Sequence, residues 1–97
     1  MNNEKMHYIA VSLDCNYNNI IIMGFLSERK AENAIENIQA LERNKYGCTW
    51  YSIDYYGYSN TEDVLNYYRN NKIVYFTQRK TSLGKKAMEQ ILQKLEN

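Results

Sequence analysis

Proline is absent from this sequence, histidine and tryptophan each occur once, and cysteine occurs twice. Each scarcity narrows the field. One histidine, His7, and two cysteines without C-x-x-C spacing, Cys15 and Cys48, fall short of the closely paired ligands that zinc sites use. No metal and no other cofactor is therefore expected. The four glycines, Gly24, Gly47, Gly57 and Gly84, are scattered and make neither a phosphate loop nor a dinucleotide fingerprint. Long apolar runs are also missing. The longest, Ile20 to Met23 with Phe25 and Leu26 close behind, is far too short to cross a bilayer. The opening residues, MNNEKMHY, lack the basic-then-apolar pattern of a signal peptide. A cytoplasmic setting is expected, and in that reducing compartment the two thiols should be free.

An excess of charge is lacking as well. The net charge is +1, so no overall field favours nucleic acid, membrane or an acidic ligand. With 97 residues, 44% of them hydrophobic and 24% charged, the chain reads as one ordinary globular domain over 1–97. Abundant Asn, Ile, Lys and Tyr beside the missing proline is a bias typical of AT-rich coding, as in a low-GC bacterium or its phages.

No repeat or linker interrupts the chain. The stretch "HYIAVSLD" from His7 to Asp14 alternates, with Ile9, Val11 and Leu13 on one face, which predicts a half-buried strand. Asn-rich "CNYNN" (15–19) predicts a hairpin connection, and "IIIMGFL" (20–26) a central strand apolar on both faces. Ser27 is placed to cap a long helix in which Ala31, Ala34, Ile35, Ile38 and Leu41 recur at helical spacing and Gly47 ends the run. A third strand is predicted over Thr49 to Tyr58. Ser59 and Glu62 then form a capping box for a short helix, on which Tyr68 falls on the buried side and Tyr67 outside. A fourth strand is predicted over Lys72 to Thr77. A final helix capped by Ser82 carries Leu83, Ala87, Met88, Ile91, Leu92 and Leu95 as one apolar stripe. The order β-β-α-β-α-β-α predicts an α+β fold, a small, mostly antiparallel sheet of about four strands with helices packed on it.

The run "IMGFLSERKAENAI" (22–35), followed by "YSIDYY" (51–56), resembles a family of small uncharacterised bacterial and phage proteins. These share a β-hairpin, a "G-aromatic-x-S-x-x-x-A-x-x-A-I" helix start and an aromatic "x-I-D-x-Y" strand. The resemblance covers about two-thirds of the chain, from the first strand to the third, and implies the fold but no activity.

Catalytic groupings are sparse. Cys48, His7 and Asp14 are the residue types of a nucleophile, a base and an orienting acid. Yet Cys48 follows a helix C-terminus, the wrong place for an activated thiol, and no carboxylate pair has a recognisable spacing. A non-enzymatic protein with no catalytic residue is expected.

What the sequence does concentrate is aromatic surface. "WYSIDYYGY" (50–58) holds the only Trp and four of the ten Tyr. Strand alternation turns Tyr51, Ile53 and Tyr55 toward the helices, and Trp50, Ser52, Asp54 and Tyr56 the other way, with the side of Tyr58 left open by Gly57. Tyr and Trp stabilise sheets and also dominate binding hot spots, so the second face is either sheet-stabilising or an interaction surface. On the second reading Trp50, Asp54, Tyr56, Tyr58 and Tyr67 would contact a host protein. The concrete expectation is a protein, phage or mobile-element encoded, that occludes a host surface, for example as an inhibitor of a CRISPR nuclease. A second feature is the corner "RKTSLGKK" (79–86). Arg79, Lys80, Ser82, Lys85 and Lys86 there are either a solvated turn or an anion-binding site, and with the aromatics they give the alternative of a nucleic-acid-binding module. A homodimer through the aromatic face is a further alternative.

Overall fold

The computed structural model describes residues 4–13, 16–79 and 82–96. The alternation around His7 forms β1 (Lys5–Leu13), and the apolar run behind it forms β2 (Asn16–Phe25). They pair antiparallel, from His7 opposite Phe25 to Leu13 opposite Asn16. Asp14 and Cys15, where the hairpin connection is expected, lie outside the described residues, as do Lys80 and Thr81.

Helix α1 (Glu28–Tyr46) follows with the expected signals in place. The Ser27 hydroxyl accepts from the Lys30 amide at 3.2 Å. At the far end Gly47 takes a left-handed conformation, φ 78°, and its N–H donates to the Arg43 carbonyl at 2.9 Å. That closes the helix with the one residue that bears this φ without strain. Glu28 in the first turn and Arg43 and Lys45 in the last complement the helix dipole.

The chain continues through β3 (Tyr51–Asn60), α2 (Thr61–Tyr67), β4 (Lys72–Gln78) and α3 (Lys85–Glu96). The strand order is β3-β1-β2-β4. β3 runs antiparallel to β1, whereas β4 runs parallel to β2 and makes the sheet mixed. The fold is α+β in the predicted element order.

Strand β1 differs from its predicted half-buried character. It lies between β2 and β3, and Ala10 and Ser12 are buried as well as Ile9 and Val11. Two apolar clusters account for this. On one face Ile9, Val11, Ile21, Met23 and Phe25 pack under Ala31, Ala34 and Ile38 of α1 and Met88, Ile91, Leu92 and Leu95 of α3. On the other, Met6, Tyr8, Ala10, Ile20 and Ile22 pack under Val64 and Tyr68. Two long helices thus cover one face, and the short α2 covers the second.

Two predicted caps shift. Asn60, not Ser59, caps α2: its side-chain oxygen accepts from the Glu62 amide at 2.9 Å, while the Ser59 hydroxyl donates to the Tyr56 carbonyl. Helix α3 begins at Lys85, so Ser82 stands outside it and the Met88 amide donates to the Gly84 carbonyl. Both are one- or two-residue displacements, the usual uncertainty of a helix terminus. Among the described residues no helix is long and apolar enough to cross a membrane.

Candidate binding surface on the edge strand

Strand β3 is an edge of the sheet, and a bulge midway along it decides where its aromatics go. Gly57 lies opposite Tyr8 but Tyr55 lies opposite Ile9, so one extra residue sits between two consecutive positions of β1. Gly57 has φ 67°, the left-handed conformation that such a bulge needs and that glycine adopts freely. The extra residue breaks the alternation. Tyr58 therefore comes back to the side of His7 and Tyr55.

His7 sits between the two tyrosines. Its Nδ1 lies 3.0 Å from the Tyr55 hydroxyl, and its ring is 5.2 Å from that of Tyr58, tilted by 42°. Tyr58 is 64% exposed.

Tyr56 is turned to the opposite face, against α2. Its ring lies 5.6 Å from both Tyr67 and Tyr68, and Tyr67 and Tyr68 meet edge to face at 5.0 Å. The Tyr56 and Tyr68 hydroxyls are hydrogen bonded, and Tyr68 donates to Asp54 Oδ2 at 3.1 Å. Asp54 is exposed, yet its carboxylate anchors the α2 capping residue to β3. Burial raises the Tyr68 phenol well above its ordinary value, with further contributions from the Tyr56 bond and the Asp54 charge. Burial raises Tyr56 in the same direction. Tyr67 remains 72% exposed.

Of the five residues singled out in sequence for a partner, Tyr56, Tyr58 and Tyr67 line one hollow of about 370 Å³ that straddles the sheet edge, the Tyr58 ring lying on the His7 side and the other two on the α2 side. Lys5, Ser59, Asn60 and Asp63 complete its polar rim. Asp54 supports that hollow through Tyr68. Trp50 does not belong to it. It precedes β3, and instead of sharing the face of Asp54 and Tyr56 it stacks on Tyr46 of α1 at 5.4 Å, 44% exposed. Eight positions apart in sequence, Trp50 and Tyr58 stand roughly 25 Å apart along the strand.

The basic corner is not drawn together with this hollow. Arg79 is held at the end of β4 by its amide, which donates to the Gly24 carbonyl at 2.7 Å. Lys85 lines a groove beneath α1 and α3, on the other face of the sheet from Tyr56 and Tyr67. Lys86 and Ser82 are exposed, and Lys80 lies outside the described residues. The thiol and imidazole are also kept apart. His7 pairs with Phe25, just before α1 begins, and Cys48 lies beyond its far end, so a helix of 19 residues, about 28 Å, separates them. Cys48 is exposed and its thiol is free. Among the described residues, no three His, Cys, Asp or Glu side chains are grouped to hold a metal.

Sequence reasoning missed Glu42. It is 1% exposed, and its Oε2 accepts from the backbone amides of Trp50 and, at 2.6 Å, Tyr51. The signal was present: Glu42 stands four residues after Ile38, on the same apolar stripe of α1. No family model, curated protein or solved structure matches this chain.

Proposed function

We propose that this chain is a small non-enzymatic binding protein of the cytoplasm that covers a surface of a host protein, using the edge of β3 around Gly57. The observation that carries this reading is that Tyr56, Tyr58 and Tyr67 line one hollow at a sheet edge, with Tyr58 and Tyr67 largely exposed on its two sides. Tyrosine offers large contact area with two side-chain torsions and a polar tip, the combination that dominates interface hot spots. Occlusion of a bacterial defence nuclease, by a chain of phage or mobile-element origin, is the concrete form of this proposal.

The test is retention of a host protein by the immobilised chain. A partner bound by the wild type and by a Phe76→Ala control should be lost with Tyr58→Ala plus Tyr67→Ala. Equal retention by that double variant defeats the assignment of this surface. Recovery of nucleic acid instead, released by moderate salt, transfers the function to the nucleic-acid alternative.

A further inference from the structure

A second concavity lies on the opposite face, between the C-terminal half of α1, the start of β3 and the length of α3. Its volume is about 340 Å³, within the range of roughly 300–1,000 Å³ typical of small-molecule sites. Leu41, Leu92, Tyr46 and Tyr51 give it apolar and aromatic walls, and Glu42 contributes from within.

Glu42 is the unusual component. A side chain this deeply buried normally has every polar atom satisfied. Its Oε2 is, by the amides of Trp50 and Tyr51, but Oε1 is buried with no hydrogen-bond partner. The other charges of the lining do not supply one. Glu96 is engaged with Lys45 at 3.6 Å and accepts from the Tyr46 hydroxyl at 2.6 Å. Glu42, Glu89 and Glu96 face only Lys45 and Lys85, so the lining carries an excess of negative charge.

From these features we infer that the groove binds a small organic amine, its ammonium group donating to the free oxygen of Glu42 and its apolar body resting on Tyr46 and Tyr51. A carboxylate in a place of low dielectric favours a cation that can also donate, and aromatic faces add cation–π attraction. The two backbone amides hold the carboxylate in place before any ligand arrives, and because Oε1 is buried a lining side chain must shift to admit the ammonium group. Trp50, stacked on Tyr46 at the groove, is a built-in reporter.

The test uses the full chain with tyramine and isoamylamine as probes, and 4-ethylphenol as the uncharged counterpart of tyramine. Calorimetry and Trp50 fluorescence should show at least one amine binding, and 4-ethylphenol binding at least tenfold more weakly than tyramine. Glu42→Gln keeps an oxygen for the two amides but loses the charge, so it should weaken amine binding at least tenfold. Glu89→Lys, at an exposed position of the lining, should weaken it severalfold and serves if Glu42→Gln does not fold. The proposal is overturned if neither amine binds at millimolar concentration, if 4-ethylphenol binds as well as tyramine, or if a folded Glu42→Gln protein binds amine as the wild type does. Should only Glu89→Lys fold, undiminished amine binding by it overturns the proposal as well.

Discussion

Tyr8 shows how a single residue is fixed from several directions. Its ring is fully buried, and a Cβ built on Gly24 would lie 2.7 Å from Tyr8 Cε1. Glycine is required there by close approach, not by backbone conformation. The Tyr8 hydroxyl is bonded to Thr61 Oγ1, Gln78 Nε2 donates to both oxygens at 2.9 Å, and Thr61 donates onward to the Glu4 carbonyl. The ring therefore has little room to retreat. Gly24→Ala should destabilise the protein by about 1–3 kcal/mol, the range for overpacking a filled core. A lower midpoint in urea with an unchanged slope would show it. At Glu42, replacement by Ala leaves two backbone amides without their acceptor and opens a void. A loss of about 2–4 kcal/mol is expected from the same unfolding measurement. A change below about 0.5 kcal/mol would mean that water replaces the carboxylate without penalty.

At the scale of elements, the bulge in β3 is the feature on which the proposed surface depends. Gly57→Val should cost about 1–2 kcal/mol, because a side chain is disfavoured at this φ. It should also move the Tyr58 ring away from His7, which the ring-current shift of the His7 protons would report. Asn60→Ala removes the α2 cap and should cost about 1 kcal/mol, with faster amide exchange confined to Glu62 and its neighbours. These elements also mark what the sequence discloses. The core helices were legible because propensity, caps and apolar spacing agree in α1, and the stripe from Leu83 to Leu95 is long enough to fix α3. The direction of β4 was not, since pairing order depends on contacts between distant segments that a local pattern does not encode. Nor was the separation of Trp50 from Tyr56: alternation assumes an unbroken strand, whereas β3 starts after Trp50 and adds a residue at Gly57. Glu42 was obscured for a different reason, as its polar type conflicts with its place on the stripe.

For the whole molecule, the tyrosines set an alkaline limit. Tyr51, Tyr55, Tyr56 and Tyr68 all have phenols raised above the ordinary value of 10.0, burial being the first cause in each. The folded state therefore holds these protons more tightly than the unfolded chain does. Their contribution to stability is fully present below pH 10 and is lost as pH rises through the higher folded values. Denaturant midpoints measured at increasing pH should stay level up to about pH 10 and then fall steeply. Tyr56→Phe with Tyr68→Phe should flatten that fall. A midpoint that falls equally in wild type and double variant would assign alkaline lability to other groups.

The bonds that Gln78 makes to Tyr8 and Thr61 also bear on how the chain is made. A ribosome releases β1 first, and β2 and β3 can join it as soon as residue 60 is free. The Tyr8 hydroxyl, which Thr61 can already engage, then waits for its second partner from Gln78, the last residue of β4, and Met23 and Ile21 wait for α3. Nascent chains stalled before residue 78 should thus remain open to protease and to chaperones. Resistance should arrive in one step once α3 has emerged, because β4 and α3 complete a sheet and a core that β1, β2, β3 and α1 begin.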